Sequence, residues 1–462
     1  MNQYAPSLTQ AHQQFLSDLF PGEGCLLSPE ERAAFSADSS RCHAMPWAVV
    51  RPENRDQVIE LLRWAEAEHM PLYPRARGTC QVGNAVPSLG GVVISLLRMN
   101  RILDVNADDF AGVVEPGVVT ADFQAACAAK QVFYPPDPAS VKMSTVIGNA
   151  STCAGGLRAV KYGVTRDWVL GLEAVLPGGK VLRTGGRMHK DVVGLDLTRL
   201  FVGACGKLGL ITEMTVKLIP LPEASASVLV GFADLAACME GARAVFRAGL
   251  LPAACEFMDE TVLKAVRKID DVPLPETTRA ALLFKVDGTA GGVRAETELL
   301  CAALKPLSPV GMMVGTGDEE EAVWTVRRRI SPATFQIRPN KVAEDIAVPR
   351  SRVGEAAERV HAIGREFGLP VLCYGHLGDG NLHVSIMHDV SVPGEVEAAG
   401  KAKTAVFRLA IELGGTISGE HGTGLTKAEF VAEQLSAETI ALMDGIKRNF
   451  DPSGIMNPGK AW

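Results

Sequence analysis

Three loops rich in glycine, proline, serine and threonine constrain the fold of this chain more than any other feature. They are PRARGT (74–79), PPDPAS (135–140) and VIGNASTCAGG (146–156). Backbone N–H groups in such loops can converge on an anion without a basic side chain, although each loop alone also fits ordinary turn chemistry. Together with VEPGVV (114–119) and GACGKLG (203–209), they predict a dinucleotide pocket.

This pocket does not belong to the two most familiar nucleotide-binding types. A nicotinamide-type Rossmann unit needs a strand, a GxGxxG turn and a helix in succession, and the first forty residues contain no such run. A P-loop needs GxxxxGK followed by Ser or Thr, and the sequence contains none. The sequence therefore predicts a large cofactor held by a different fold.

Length and composition indicate a soluble protein of several domains. The 462 residues are too many for one compact core, so roughly two or three domains are expected. The formal net charge of -7 argues against a nucleic-acid surface. No apolar run reaches ~18 residues, so no transmembrane helix is expected, and no signal peptide is apparent. The ten scattered cysteines indicate free thiols in a reducing cytoplasm.

Strands and helices alternate along most of the chain. The stretch NRDQVIELLRWAEAEHM has apolar residues at helical spacing, and Gly178–Gly179 predicts a hairpin turn. In the second half the alternation predicts a mixed sheet covered by helices on one face. The expected divisions are a peripheral, helix-like N-terminal segment (1–41), a cofactor-binding domain (42–222), a substrate domain (223–450) and a C-terminal tail (451–462).

Three histidines and a glutamate lie in two glycine-rich stretches near the C-terminus. YGHLGDGNLHVSI holds His376 and His383, and SGEHGTG holds Glu420 and His421. A lone histidine is more often a surface or core residue than a ligand, but this combination is harder to explain that way. Imidazole and carboxylate are standard ligands of Zn²⁺ and similar ions. Because Glu420 and His421 are neighbours, one can bind a metal while the other serves as a base.

The glycine-rich loops resemble the FAD-binding fold of the vanillyl-alcohol oxidase / p-cresol methylhydroxylase superfamily. PRARGT corresponds to the family's PRG-x-GT pyrophosphate loop, PPDPAS and the GN…CAGG element match its next two loops, and GACGKLGLIT corresponds to its GSEGTLGIIT. Ala204, Cys205 and Lys207 depart from that last motif, so backbone contacts are expected there. No histidine lies at the first loop, which favours non-covalent FAD. The FAD contacts implied are Arg75, Arg77, Gly78, Thr79, Pro116, Gly117, Pro136, Asp137, Ser140, Gly148, Asn149, Cys153, Gly155, Gly206, Gly209, Ile211 and Asn457.

The resemblance covers about residues 45–460 and implies an α+β fold. The expected architecture is the two-subdomain FAD-binding fold of this superfamily, followed by a C-terminal α+β substrate (cap) domain. The tail 451–462 is expected to return to the FAD domain.

The pair GH-x-GDGN-x-H and SGEHG-x-G is similar to the C-terminal signature of the FAD-linked D-2-hydroxyacid dehydrogenases. This branch includes D-lactate dehydrogenase, D-2-hydroxyglutarate dehydrogenase and the catalytic subunit of glycolate oxidase. The resemblance implies that His376, His383 and Glu420 hold a divalent metal, zinc or alternatively iron or manganese. It also implies that His421 is the catalytic base and that Asn381 lines the pocket. The expected reaction oxidises a D-2-hydroxy acid, D-lactate first, to the 2-oxo acid by hydride transfer to FAD.

Other functions stay open at this point. D-2-hydroxyglutarate and glycolate are alternative substrates, and alkyl-dihydroxyacetone-phosphate synthase is a non-redox alternative with the same type of FAD domain. A flavin subunit without a substrate site would have no use for a base. A metal-dependent hydrolase would leave the FAD loops unexplained.

The stretch WTVRRRISPA is a candidate for binding the substrate carboxylate. A guanidinium can pair with a carboxylate through two N–H groups, although a solvated basic face is an equally common reason for such a run. By the family's W-x-x-R spacing the candidate is Arg327, with Arg328 behind it and Lys341 as a weaker alternative. His361 and His388 are interpreted as surface residues.

Electrons must leave this chain to a separate acceptor. The sequence has no clustered cysteines for an iron–sulfur centre and no CxxCH haem-attachment motif. The candidate acceptors are an iron–sulfur subunit, an electron-transfer flavoprotein and a quinone. The expected location is the cytoplasm, with peripheral attachment to the inner face of the membrane as the open alternative.

Overall fold

The computed structural model describes residues 4–460, and the chain divides into two compact units. The first unit contains the chain up to Gly155, Val164–Leu221 and the chain from His421 onward; the second contains Gly156–Gly163 and Pro222–Glu420. The part of the chain that returns to the first unit thus begins at His421, not at 451 as the sequence suggested. The last long helix belongs to the first unit, where the Phe450 ring lies 5.4 Å from the Phe201 ring.

Across the described residues the backbone forms short strands and helices that follow the sequence pattern closely. The strands are β1 (Cys25–Leu26), β2 (Ala48–Val50), β3 (Leu72–Arg75), β4 (Val92–Ser95), β5 (Ile102–Asn106), β6 (Ala111–Val114), β7 (Val132–Phe133), β8 (Val169–Val175), β9 (Val181–Gly185), β10 (Leu210–Lys217), β11 (Ile219–Pro220), β12 (Ala224–Phe232), β13 (Ala254–Asp259), β14 (Ala280–Gly288), β15 (Gly311–Thr316), β16 (Asn340–Ala347), β17 (Val371–His376) and β18 (Asn381–His388). The α-helices are α1 (Gln10–Leu19), α2 (Pro29–Ala33), α3 (Arg55–Ala67), α4 (Thr120–Ala128), α5 (Val146–Thr152), α6 (Ala159–Tyr162), α7 (Thr198–Phe201), α8 (Leu235–Arg247), α9 (Glu260–Val266), α10 (Ala290–Leu304), α11 (Glu319–Thr334), α12 (Val353–Glu366), α13 (Glu395–Glu412), α14 (Val431–Gln434) and α15 (Ala437–Phe450).

The first unit contains a four-stranded and a five-stranded sheet. The four-stranded sheet has the order β1-β2-β4-β3, with β2, β4 and β3 parallel. Parallel strands need a crossover connection, and α3 provides it between β2 and β3. Its apolar face packs into the core of this unit, with Val58, Leu61, Leu62 and Ala65 fully buried. The five-stranded sheet has the order β5-β6-β10-β8-β9 and is antiparallel.

The N-terminal segment is more than the peripheral helical piece that its polarity suggested. Helix α1 forms, but β1 pairs antiparallel with β2 and extends the four-stranded sheet. Leu16 and Phe20 are buried in the same core as α3. A few apolar residues in a polar segment are enough to anchor it, because each fully buried one contributes roughly 1.5–3 kcal/mol.

The C-terminal segment continues the edge of the same sheet. The N–H of Leu72 in β3 donates to the carbonyl of Ile455 at 2.9 Å, and the N–H of Asn457 donates to the carbonyl of Leu72 at 2.8 Å. Met456 is fully buried between these contacts. The tail is therefore part of the first unit's sheet and core.

The second unit is built on a seven-stranded sheet of order β15-β12-β14-β13-β17-β18-β16. Every neighbouring pair is antiparallel, so the predicted mixed sheet is wrong. Strands β12 and β13 do run parallel, joined by α8, but β14 inserts between them in a split βαβ arrangement. This non-local insertion is invisible in a pattern of alternating strands and helices.

Helices pack on both faces of this sheet, not on one as predicted. On one face, a Cβ at Gly241 of α8 would touch Phe232 and Leu282. On the other face, Leu283 belongs to a core cluster with Val262 of α9 and Trp324 of α11, among others. Leu282 and Leu283 are consecutive residues of β14 on opposite faces of the sheet. Both are fully buried because helices cover each face.

Two further observations concern the whole described chain. Residues 4–460 include no helix long and apolar enough to cross a bilayer. All ten cysteines are free thiols.

Candidate active site

Strand register places the two histidines of the GDGN stretch on one face of the seven-stranded sheet. His376 of β17 lies opposite Asn381 of β18, and Tyr374 of β17 lies opposite His383 of β18. Side chains alternate between faces along each strand, and opposed residues share a face. All four side chains therefore stand on the same side of the sheet.

The turn between the two histidines explains the aspartate and glycine in that stretch. The Asp379 carboxylate accepts the N–H of Asn381 at 3.3 Å, which closes the turn. Gly380 has φ 88°, in the left-handed region. A Cβ at this position would lie 2.1 Å from the carbonyl oxygen of Val348. Glycine is therefore required here by both conformation and space.

Replacing Gly380 with alanine is expected to lower the urea midpoint of unfolding substantially. The left-handed conformation costs a residue with a Cβ about 1–2 kcal/mol, and the contact with the Val348 carbonyl adds a backbone displacement. Gly394→Ala is the matched control, because Gly394 has the same φ of 88° and a Cβ there would meet nothing within 4 Å. Equal midpoints for the two variants would show that the close contact is unimportant.

Three candidate ligand atoms converge above this face of the sheet. His383 Nε2 lies 3.4 Å from His376 Nε2 and 3.6 Å from Glu420 Oε1, and His376 Nε2 lies 3.7 Å from the same oxygen. These separations are longer than good hydrogen bonds, which cluster at ~2.9–3.0 Å. They match two ligands of a tetrahedral ion bound at about 2.0–2.1 Å, which are about 3.4 Å apart. Geometry and donor set therefore both fit a divalent metal.

Two buried carboxylates that the sequence reasoning missed hold these ligands in place. Glu256 of β13 lies opposite His376 and faces its Nδ1 at 2.6 Å. Asp345 of β16 accepts the backbone N–H of Glu420 at 2.7 Å. The available signal was an acidic residue inside an apolar strand, in ACEFMD and in AEDIAVP, because buried carboxylates are rarely left unpaired.

Neighbouring charges shift the pKa values of Glu256 and His376 in opposite directions. Burial alone would lower the pKa of His376, but the Glu256 and Glu420 carboxylates outweigh it and raise this pKa well above its usual value. Burial likewise opposes ionisation of Glu256, but His376 and Arg327 hold its pKa below the usual value. A metal at His376 Nε2 would displace a proton, as ligand binding of this kind generally does.

The structure brings Arg327 of α11 to this cluster but not Arg328. Arg327 Nε donates to Glu256 at 2.6 Å, and its guanidinium lies 5.1 Å from the centre of the Tyr374 ring. The Arg328 side chain is 50% exposed and pairs with Glu321. Consecutive helical residues are rotated by about 100°, so only one of the two can face the sheet.

The weaker candidates have other environments. Lys341 of β16 donates to the Ser331 hydroxyl at 3.0 Å. His361, interpreted as a surface residue, is half-buried and lies 2.8 Å from the Asp259 carboxylate. His388 was also interpreted as a surface residue, but it is only 6% exposed at the end of β18. The sheet buries it because both faces are covered by helices.

His421 begins the C-terminal part of the first unit. Its Nε2 lies 3.3 Å from the Gln81 side-chain nitrogen, just beyond the PRARGT loop. The N–H of Leu425 donates to the carbonyl of Val82 at 2.7 Å. The loop that carries His421 is therefore hydrogen-bonded to the segment that follows the first predicted flavin loop.

The first predicted flavin loop has a tight conformation and packs against another. Gly78 has φ 66°, and a Cβ there would lie 2.3 Å from Arg75 Nη2. A Cβ at Gly206 would lie 2.9 Å from Pro74. The PRARGT and GACGKLG loops thus meet within the first unit, at a distance that glycine permits.

Buried polar atoms near these loops lack partners within the described residues. They are Arg75 Nη1, Asn84 Nδ2, Tyr134 OH, Ser144 Oγ and Asn457 Oδ1. An unpaired buried polar group costs about 1–3 kcal/mol, so a polar ligand bound here would be stabilising. The residues present therefore fit a dinucleotide such as FAD.

Asn457 joins the tail to the loops of the first unit. Its side-chain amide donates to the carbonyls of Asn84, at 3.1 Å, and Cys205, at 2.7 Å. Cys205 has φ 52°. Cys205, one of the three positions that depart from the family motif, thus contributes its backbone carbonyl to this junction.

The other residues expected to contact FAD lie in varied surroundings. The Asn149 amide donates to Thr120 Oγ1 at 2.8 Å, so its side chain supports the fold. Ile211 is buried in β10, and Arg77 is exposed. The loop positions that are buried or half-buried are Thr79, Pro116, Gly117, Pro136, Asp137, Ser140, Gly148, Cys153, Gly155 and Gly209.

Comparison with known proteins confirms the predicted fold. Residues 46–185 match the FAD binding domain family, and residues 221–461 match the C-terminal domain of FAD linked oxidases. The structure of p-cresol methylhydroxylase with substrate bound has a TM-score of 0.81 at 18% identity, covering 99% of this chain and 98% of that chain.

Two relatives are similar over nearly their full length. The glycolate oxidase subunit GlcD of Bacillus subtilis (strain 168) is 38% identical over 431 residues, covering 93% of this chain and 92% of that protein. The D-lactate dehydrogenase of Anaerostipes hadrus is 33% identical over 436 residues, covering 90% of each. The chain therefore belongs to the FAD-linked oxidases, and it is an FAD-dependent oxidoreductase.

Proposed function

We propose that this protein oxidises a D-2-hydroxy acid, D-lactate first, to the 2-oxo acid with a divalent metal at His376, His383 and Glu420. The observation that carries the proposal is the triangle of ligand atoms with sides of 3.4–3.7 Å in a member of the FAD-linked oxidases. Relatives named for glycolate and D-lactate support the substrate class. Zinc is the first candidate metal, with iron or manganese as alternatives.

The chain's own residues would bind the substrate and move one proton. When bound, FAD supplies the hydride acceptor, and the metal supplies a Lewis acid for the substrate's oxygens. His421 accepts the hydroxyl proton as the C2 hydrogen leaves with its electron pair, and the product is the 2-oxo acid. Histidine suits this role because its pKa lies near neutral pH.

Arg327 is the proposed partner of the substrate carboxylate. A guanidinium carries five N–H donors in a planar fork, and the hydrogen bond to Glu256 uses only Nε. Asn381, on the face of the sheet that carries both histidines, has a buried Oδ1 without a hydrogen-bond partner among the described residues; as an acceptor, this oxygen suits the substrate hydroxyl rather than the carboxylate. Both would orient the substrate without taking part in bond cleavage.

The two electrons would pass from FAD to a separate acceptor. An iron–sulfur subunit, an electron-transfer flavoprotein and a quinone remain the candidates. FAD is proposed to bind non-covalently through the glycine-rich loops of the first unit, with Arg75 and Asn457 supplying buried polar atoms.

An anaerobic absorbance spectrum recorded before and after addition of single hydroxy acids tests this function. We expect D-lactate to bleach the flavin of the holoenzyme and L-lactate to leave it oxidised, because two enantiomers held by the same carboxylate and hydroxyl contacts point their C2 hydrogens in opposite directions. Bleaching by glycolate or by D-2-hydroxyglutarate instead would identify that acid as the substrate. Failure of every hydroxy acid to reduce the metal-loaded enzyme would favour a non-redox reaction of the alkyl-dihydroxyacetone-phosphate synthase type.

A further inference from the structure

Glu256 has an environment that stability alone does not require. It lies in β13 between β14 and β17, with 0% exposure. Burying a carboxylate is costly unless it is paired and hydrogen-bonded. Glu256 meets this condition with two different partners: one oxygen faces His376 Nδ1 and the other accepts from Arg327 Nε, both at 2.6 Å.

The first contact fixes the orientation of a metal ligand. A carboxylate accepts hydrogen bonds, so Nδ1 of His376 carries the proton that it donates to Glu256. The opposite ring atom, Nε2, then faces His383 and Glu420. Carboxylates that hold a ligating histidine through its second nitrogen are common in metal sites and raise the basicity of the ligand.

The second contact fixes the proposed carboxylate-binding arginine. The Arg327 guanidinium lies 5.1 Å from the Tyr374 ring centre, and the Tyr374 ring lies 5.4 Å from the His383 ring. The rings of His383 and His376 are 5.1 Å apart. Contacts thus run in a closed circle from Glu256 through both histidines, Tyr374 and Arg327 back to Glu256.

We infer that Glu256 is a shared positioning residue, which orients His376 for the metal and Arg327 for the substrate carboxylate. This inference rests on the proposed metal-dependent function. Glu256 itself is not one of the three groups that would hold the metal. It sets the relative placement of His376 and Arg327, so a single substitution should weaken both metal binding and substrate binding.

Metal binding to the full-length, flavin-loaded protein provides the first test. The protein would be stripped of metal and titrated with Co²⁺ and Zn²⁺, with the Co²⁺ absorption bands as a direct signal of ligand geometry. We expect Glu256→Gln to raise the metal Kd about 10–100-fold and to alter the Co²⁺ spectrum. We also expect the KM for the hydroxy acid to rise, because Arg327 loses its charged partner.

Glu320→Gln is the matched control. Glu320 is another buried glutamate of the second unit, with a 9% exposed fraction. It accepts from Ser225 and Ser227 and pairs with Lys285, and none of these three partners belongs to the circle of contacts around Glu256. Glu320→Gln should lower the stability of the protein about as much as Glu256→Gln does. Its metal Kd and Co²⁺ spectrum should stay at the wild-type values.

A double variant separates positioning from simple charge balance. In Glu256→Gln, the charge of Arg327 is left uncompensated near the metal and could by itself weaken binding. If Glu256→Gln/Arg327→Met binds metal as weakly as Glu256→Gln, the effect acts through His376, as inferred. A double variant with wild-type affinity would overturn the positioning role and leave Glu256 as a counter-ion.

The remaining outcomes are also decisive. A wild-type metal Kd in Glu256→Gln would overturn this inference while leaving the metal site intact. A wild-type protein that binds no divalent metal would overturn the proposed function and this inference together. If Glu256→Gln does not fold, the metal titration is repeated with Glu256→Asp. The same result is expected, because aspartate keeps the charge but its shorter side chain reaches less far toward Nδ1 of His376.

Discussion

Replacing His421 with alanine is expected to lower kcat for the hydroxy acid by about 10²–10⁴-fold, the usual contribution of a positioned general base. The flavin content should stay at the wild-type level. His421 is half-buried, and its Nε2 faces the exposed Gln81 side chain. Anaerobic rapid mixing, which follows flavin reduction directly, measures the affected step without the electron acceptor.

Two comparisons distinguish a base from a structural residue. Added imidazole should partly restore flavin reduction in His421→Ala, because a free base can replace a missing one but cannot restore packing. His189→Ala is the control in the same unit: His189 is exposed and lies 3.2 Å from the Asp109 carbonyl, so normal turnover is expected. Near-normal flavin reduction in His421→Ala would remove this residue from the base role.

Local features of this fold could be predicted from sequence because their causes are local. The apolar spacing in α3 identified Val58, Leu61, Leu62 and Ala65, and all four are fully buried. The hairpin at Gly178 forms as its glycine pair indicated, with φ 75° at that residue. In both places the periodicity or the dihedral requirement lies within a few residues of sequence.

Strand order could not be predicted because it depends on partners far apart in the chain. Strand β14 separates β12 from β13, which converts an expected mixed sheet into an antiparallel one. The N-terminal segment looked peripheral because most of its residues are polar. Its strand β1 is only two residues long, too short for any alternation to be visible.

The candidate site likewise has parts that could be predicted from sequence and parts that could not. His376 and His383 lie in one short stretch whose glycines and aspartate form a turn, so their proximity could be predicted from the sequence. Glu256, which orients His376, is 120 residues distant in sequence, and its partner Arg327 lies 71 residues beyond Glu256. Pairing of β13 with β17 brings Glu256 to His376, and the packing of α11 on the sheet brings Arg327 to Glu256. The choice between Arg327 and Arg328 likewise required the rotation of α11 about its axis.

Removal of the metal is expected to lower turnover by about 10³-fold or more while FAD stays bound. A Lewis acid stabilises developing negative charge by several kcal/mol, and each 1.36 kcal/mol is tenfold in rate. The three candidate ligands belong to the second unit and the predicted flavin loops to the first, so chelation removes none of the residues that are predicted to bind flavin. The experiment measures metal by elemental analysis, flavin by absorbance and turnover before chelation, after it and after metal is restored.

A ligand variant completes this test. His383→Ala should resemble the stripped enzyme, with turnover that excess metal fails to restore, because one of three converging donors is gone. His361→Ala, a half-buried histidine of the same unit that pairs with Asp259, should keep its metal and its activity. Full turnover after verified metal removal would exclude the metal from the reaction.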